Sequence, residues 1–270
     1  MTVSQCANIL MTTPVGTQSD KVVFEALAQG LAKKGHRVTL LSSFNQTTKA
    51  EGVTELVIGN GKRPISFDHY HCATFSDLLE YVQELYYSSG VGARFIEDPA
   101  VSQLVDSQIT YDLLINNAAH NELMLYFAYK FNIPFVYLST TGDVSWVSES
   151  LRIPSNLASQ PLQCCSHSED MSFTQRVINY GIYWIFQVLR VRVMLPQSTK
   201  IIRQYLDNTI PNLGDIERNM SLMIVNNHWN MEYPRTYPPH VVEAGCLHCR
   251  PGRVLSTVTL IQSQMVIRFI

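Results

Sequence analysis

Apolar positions along the chain come in short continuous runs separated by stretches with a helical repeat. Residues 7–13 (ANILMTT) form the first run, the pattern of a strand buried on both faces. A turn with one glycine covers 14–19. Over 20–34, Val23, Leu27, Ala28 and Leu31 fall on one helical face. This predicts a helix with Ser19 as its N-cap and Gly35 just past its end. A second apolar run at 38–41 completes a strand–turn–helix–strand unit, and such units build parallel strand pairs.

The alternation continues. A third strand is predicted at 55–58, a tyrosine-rich helix at 74–96 and a shorter helix at 99–107. Residues 111–115 (YDLLI) read as a strand, followed by a polar turn at 116–121, a helix at 122–131 and a strand at 135–138. The segment 142–165 is loop-like, with Pro154 and Pro161. Residues 171–207 are helical with an interruption near Pro196, and short strands follow at 221–226 and 241–244. Such alternation defines an α/β, Rossmann-like domain, with a mostly parallel sheet and helices on both faces.

Ligands in open α/β sheets bind outside the carboxyl ends of the strands. Three small polar loops lie there, at 13–20, 116–121 and 139–143. They offer Gly16, Thr17, Ser19, Thr140 and Thr141 as candidate substrate contacts. The first loop, TPVGTQS, has neither a G-x-G-x-x-G nor a G-K-[ST] pattern, which argues against a dinucleotide site or a P-loop.

Composition narrows the function classes. The net charge is −2 and the Lys and Arg residues are scattered, so no nucleic-acid footprint is evident. The most apolar long stretch, 177–195, contains Asn179, Gln187, Arg190 and Arg192, which rules it out as a membrane span. It reads as a buried or surface-packed helix, with a membrane-contacting amphipathic helix as the alternative. Residues 1–5 have the features of no signal peptide, while sequons at Asn45 and Asn219 permit a secretory location. Six cysteines are too sparse and irregular for a disulfide framework. Cys246, His248 and Cys249 look like half a metal site, but the only second cluster, His69, His71 and Cys72, is distant, so no metal is expected. His36 follows a helix end and reads as structural; His120 and Glu122 read as a loop residue and a helix-start carboxylate. Tyr81, Tyr86, Tyr87 and Phe95 fit pocket lining and core packing equally.

Several segments, in order and spacing, resemble one family. ANILMTTPVGTQSDKVVFEALAQGLAKKGHRVTLLS, YDLLINNAAHNELMLYFAYKFNIPFVYLSTTG, DMSFTQRVINYGIYWIFQV, LPQSTKIIRQYLD and DIERNMSLMIVNNHWNMEYPRTYPPHVVEAGCLHCRP are similar to the acceptor half of UDP-glycosyltransferases of invertebrate type. The resemblance implies the N-terminal half of a GT-B fold. It implies an acceptor-binding domain over 6–251, a divergent tail over 252–270 and no donor-binding domain. The implied chemistry is hexose transfer from a UDP-sugar, the co-substrate, to a small lipophilic acceptor, with no metal or other cofactor. In the family a histidine after the first strand deprotonates the acceptor, oriented by a nearby carboxylate. It also implies the endoplasmic reticulum membrane, lumenal side, although the chain shows neither entry signal nor anchor.

At the two catalytic positions this sequence departs from the family. The histidine position is Asp20 and the acidic position is Asn117. A carboxylate is a weaker base near neutrality than an imidazole, and an asparagine cannot stabilise an adjacent cation as a carboxylate does. The expectation is therefore a truncated transferase-related chain, inactive alone. The alternative is a non-catalytic ligand-binding or regulatory partner of full-length glycosyltransferases.

Overall fold

The structure is a computed structural model that describes residues 6–45, 50–61, 95–142, 144–162, 165, 167–168, 170–228, 230 and 235–249. Most of the tyrosine-rich helix expected at 74–96, with Tyr81, Tyr86 and Tyr87, lies outside these residues, as do His69, His71, Cys72 and the tail 252–270.

Seven parallel strands form one sheet: β1 (Asn8–Thr13), β2 (Arg37–Ser42), β3 (Val53–Val57), β4 (Leu113–Asn117), β5 (Phe135–Ser139), β6 (Leu222–Val225) and β7 (Val241–Glu243). Their order is β3-β2-β1-β4-β5-β6-β7. The order reverses between β1 and β4, which places a crevice at the carboxyl ends of those two strands. The expected α/β, Rossmann-like sheet is borne out.

Alternate residues of each strand feed two cores, one per face. Ile9, Met11, Val38, Leu40 and Ile115 face α1 (Gln18–Lys33), which contributes Val23, Phe24 and Ala28. Leu10, Leu41, Leu114, Phe135, Tyr137, Met223 and Val225 face the other way. There they meet α2 (Pro99–Val105), α3 (Leu125–Phe131), α4 (Ser148–Leu151), α6 (Leu195–Tyr205) and α7 (Leu213–Glu217). Phe95, in a helical turn before α2, is buried in this second core, so packing accounts for it.

Two local features beside the site differ from the sequence expectation. The N-cap of α1 is Thr17, not Ser19, because Asp20 completes a reciprocal capping box with it. Strand β4 starts and ends two residues later than YDLLI, at Leu113–Asn117, because Asn116 and Asn117 are hidden by hydrogen bonds to β1. The interruption expected near Pro196 is there: the long helix α5 (Phe173–Leu189) gives way to a π-helical turn, Arg190–Met194, just before that proline. Proline has no N–H to give, so the turn ahead of it is free to widen.

Candidate functional site

The loop after β1 is folded around one carboxylate. Asp20 Oδ2 accepts from the Thr17 backbone N–H at 2.6 Å and from Thr17 Oγ1 at 2.8 Å. With its proton committed to Asp20, Thr17 Oγ1 accepts from Ser19 Oγ at 2.6 Å and from the Asp20 N–H at 3.3 Å. Gly16 sits against the same carboxylate with φ +146°, and a Cβ there would lie 2.8 Å from Asp20 Oδ2. Only glycine allows the chain to pass this close. The second oxygen, Oδ1, accepts from Thr140 Oγ1, in the loop after β5.

That last bond spans the end of β4, which lies between β1 and β5. Asn117, the final residue of β4, is buried there. Its Nδ2 donates to Thr13 Oγ1 at 3.1 Å and its Oδ1 accepts the Ala119 N–H at 3.1 Å. Asp20 and Asn117 thus stand at one mouth of the sheet, but no hydrogen bond joins them. Each is tied to a threonine of another strand end. Thr141, next to Thr140, is held through its carbonyl, which accepts from Ser139 Oγ at 2.6 Å.

A second set of amides stitches the crevice shut from below. Thr12 Oγ1 donates to Asn116 Oδ1 at 2.7 Å, and Asn116 Nδ2 donates to the Asn121 carbonyl at 2.9 Å. The Asn121 side chain then pairs with Val15 as a backbone would, accepting its N–H at 2.9 Å and donating to its C=O at 3.0 Å. Thr12, Asn116 and Asn121 are all buried, so these bonds satisfy groups that water cannot reach.

Above this network lies a narrow cleft lined by Pro14, Val15, Phe95, His120, Asn121, Glu122, Leu123, Met124, Met194 and Ser198. Six of its lining residues are apolar and four are polar, and the space they enclose is small. His120 lines it from a left-handed backbone position, φ +56°. Its ring lies 4.2 Å, centroid to centroid, from that of Trp146, whose other neighbour is the Arg190 guanidinium at 5.5 Å. Burial, and secondarily the charge of Arg190, push the His120 pKa down to about 3, so the ring is neutral at ordinary pH.

Arg190 is fully buried in the π-helical turn and organises the wall behind the cleft. Its Nε donates to Glu122 Oε1 at 3.2 Å, and its terminal nitrogens fork onto the two carboxylate oxygens of Glu217. Trp146 Nε1 donates to Glu122 Oε1 at 2.6 Å and the Tyr137 hydroxyl to Glu217 Oε1 at 2.8 Å. Burial opposes ionisation of Glu217, but the charge and hydrogen bonds of Arg190 outweigh it, so its pKa lies below the ordinary 4.5. A second buried cation, Lys21, follows Asp20. Its Nζ reaches Glu25 and Glu55, both at 3.2 Å, and the carbonyls of Phe44 and Asn45, pinning α1 beside the mouth.

Sequence reasoning placed Gly16, Thr17, Ser19, Asp20, Asn117, Thr140 and Thr141 at one sheet edge, and there they stand. It missed the ties that make this edge rigid: Asn121, Lys21 and Arg190. Charged residues amid apolar neighbours, as in YWIFQVLRVRVML, were the available signal for Arg190. His36 is structural, its Nδ1 accepting the Ala7 N–H at 3.3 Å. Cys246 and Cys249 form a disulfide, a pairing that the sparse cysteines did not suggest; no metal-ligating cluster occurs among the described residues.

Residues 9–264 match the family described as UDP-glucoronosyl and UDP-glucosyl transferase, and the chain belongs to that family. Relatives include UDP-glucosyltransferase 2 of Dactylopius coccus, 26% identical over 94% of this chain and 50% of its own. Another is the 2-hydroxyacylsphingosine 1-beta-galactosyltransferase of Mus musculus, 22% identical over 94% of this chain and 47% of its own. The chain spans about half the length of these relatives. Among solved structures, the glycosyltransferase VinC in complex with DTDP is similar over 87% of this chain and 52% of its own, with 15% identity and a TM-score of 0.47. UGT71G1 of Medicago truncatula, complexed with UDP-glucose, is similar over 98% and 58%, with 12% identity and a TM-score of 0.44.

Proposed function

We propose that these 270 residues form the acceptor-binding lobe of a UDP-glycosyltransferase of GT-B type, holding a small lipophilic acceptor at the carboxyl edge of the sheet. The family match over residues 9–264 carries this reading. The polar loops at the carboxyl ends of β1, β4 and β5 support it, since ligands of open α/β sheets bind at that edge.

In this reading the acceptor is positioned here and the hexose arrives on a UDP carrier held by a second lobe. Asp20 and Asn117 occupy the positions of the family's base and its orienting carboxylate. Asp20 already accepts three hydrogen bonds, so its carboxylate is spent on holding the loop rather than on taking a proton. Asn117 cannot carry the charge that would stabilise a protonated base. The lobe therefore binds and orients its acceptor without supplying general-base assistance, and does not transfer sugar by itself.

Purified chain titrated with a panel of fluorescent phenols tests this. Saturable binding, with no consumption of UDP-glucose or UDP-glucuronate, is the expected result. Turnover of either sugar nucleotide, or failure of every apolar acceptor to bind, contradicts it.

A further inference from the structure

The loop after β7 is closed by the Cys246–Cys249 disulfide, which joins residues only three apart. Both cysteines are exposed, so a thiol in solution can reach either sulfur. A cross-link stabilises chiefly by constraining the unfolded chain, and the shorter its loop the less it contributes. This one therefore does little to hold the fold as a whole. Exposed disulfides are also the ones that exchange most readily with thiols.

What the disulfide does hold is the backbone of its own loop. Cys246 sits at φ +62°, a left-handed conformation that a residue with a side chain adopts rarely and at a cost. With the ring closed, the Cys249 N–H donates to the Cys246 carbonyl at 2.9 Å and the Leu247 N–H donates to Asn226 Oδ1 at 3.3 Å. The Leu247 side chain packs against the core on the α1 face of the sheet.

From there a line of hydrogen bonds runs along the carboxyl edge of the sheet. Asn226, just past β6, donates through Nδ2 to the Thr140 carbonyl at 3.2 Å. The Thr140 hydroxyl donates to Asp20. The loops after β7, β6, β5 and β1 are thus joined in series, with the disulfide at one end and the sheet mouth at the other.

We propose that Cys246–Cys249 is a reversible thiol/disulfide site whose reduction frees the loop after β7 and slackens the sheet mouth. The co-reactant is a dithiol. Its thiolate attacks one of the two cysteine sulfurs, the Cys246–Cys249 bond breaks, and the other cysteine leaves as a thiolate and takes a proton. The second thiol of the reductant, also as a thiolate, then attacks the reductant's own sulfur in the mixed disulfide and releases the remaining cysteine, which is protonated in turn. The cysteines end as two thiols and the dithiol as a disulfide, so two electrons and two protons have passed to the protein. Cys246 can then return to an ordinary backbone conformation, which takes the Leu247 N–H off Asn226 and lets Asn226 leave Thr140. Neither the chemistry nor this relay depends on what binds at the mouth.

Iodoacetamide labelling read by mass spectrometry counts the thiols, and hydrogen exchange read by NMR follows the amides. Without reductant the folded chain is expected to label at the exposed thiol of Cys6 but not at Cys246 or Cys249. With dithiothreitol both label, circular dichroism is unchanged, and oxidised glutathione reverses the step. Reduction speeds exchange of the Leu247 amide about ten-fold or more, and that of the Thr17 amide, which donates to Asp20, about three-fold. In Cys246→Ser/Cys249→Ser both amides exchange at the fast rate with or without reductant. In Asn226→Ala, reduction leaves the Thr17 amide unchanged. Cysteines 246 and 249 that label without reductant, or that reduce only as the chain unfolds, overturn the proposal. So do equal exchange rates in the oxidised and reduced chain, or a Thr17 response that survives Asn226→Ala.

Discussion

Replacing Asp20 with alanine removes three hydrogen bonds at once, two within the capping box of α1 and one to Thr140. Loss of its half of the capping box, the bonds from the Thr17 N–H and hydroxyl, costs about 1 kcal/mol, while the Thr17 hydroxyl still accepts the N–H of residue 20. Loss of a carboxylate from the first helical turn adds about 0.5 kcal/mol, and the tie to Thr140 about 1 kcal/mol. The sum is about 2 to 3 kcal/mol, or roughly 4–10 °C of melting temperature for a domain of this size. Urea unfolding followed by circular dichroism measures it, with an unchanged denaturant slope showing that only stability has moved. A double-mutant cycle isolates the bridge over β4: Asp20→Ala and Thr140→Val are expected to couple by about 1 kcal/mol. If Asp20→Ala shifts stability by less than about 0.5 kcal/mol, the level of an ordinary surface change, the carboxylate does not hold the loop. Purely additive effects would remove the bridge from the account.

Removing Glu217 strands the buried Arg190 charge, and Glu217→Ala is expected to destabilise by about 3–5 kcal/mol in the same urea assay, whereas a loss below about 1 kcal/mol would show the pair is not buried. Because the Glu217 pKa is depressed on folding, its contribution is present above the ordinary carboxylate value of 4.5 and lost as pH falls further, through its folded value. His120 is buried neutral, its pKa lowered from 6.5 to about 3, so the stability tied to it is full above 6.5 and declines as pH falls from 6.5 towards 3. His120→Asn, a residue that tolerates the left-handed backbone at this position, is expected to flatten the decline between pH 6.5 and the carboxylate range; an unchanged profile there would contradict the burial of the ring.

The frame of the molecule was readable because its signals are local. The run ANILMTT, the face of Val23, Leu27, Ala28 and Leu31, and the Gly35 stop need no distant partner, and β1, α1 and β2 appear almost where the pattern put them. The Thr17 cap was written in Thr-Gln-Ser-Asp, the spacing of a capping box, although Ser19 lies nearer the first apolar residue. Asn116 and Asn117 read as a turn because polar residues usually leave a strand. Here Thr12 and Thr13 of the neighbouring strand satisfy them, a pairing about a hundred residues away in sequence. Arg190 was legible only as an exception to an apolar run. Its partners Glu122 and Glu217 lie 68 and 27 residues away, beyond the reach of any local period. The positions of Asp20 and Asn117 came from resemblance, whereas their actual bonds, to Thr140 and Thr13, came only with the fold.

The central claim is that the sheet mouth is built like a glycosyltransferase acceptor site whose base and orienting carboxylate have been replaced by connectors. Fusing these residues to the half of UDP-glucosyltransferase 2 of Dactylopius coccus that they do not cover makes it measurable as sugar transfer to a phenol. Asp20→His with Asn117→Asp in that chimaera is predicted to raise kcat by about a hundred-fold or more, the contribution general-base catalysis typically makes, with each single change giving far less. Thr13 can turn its hydroxyl to donate to the new carboxylate, so Asn117→Asp keeps its bond to β1. An unchanged rate in a chimaera that folds and binds the phenol would mean that residues 20 and 117 do not face the reacting hydroxyl.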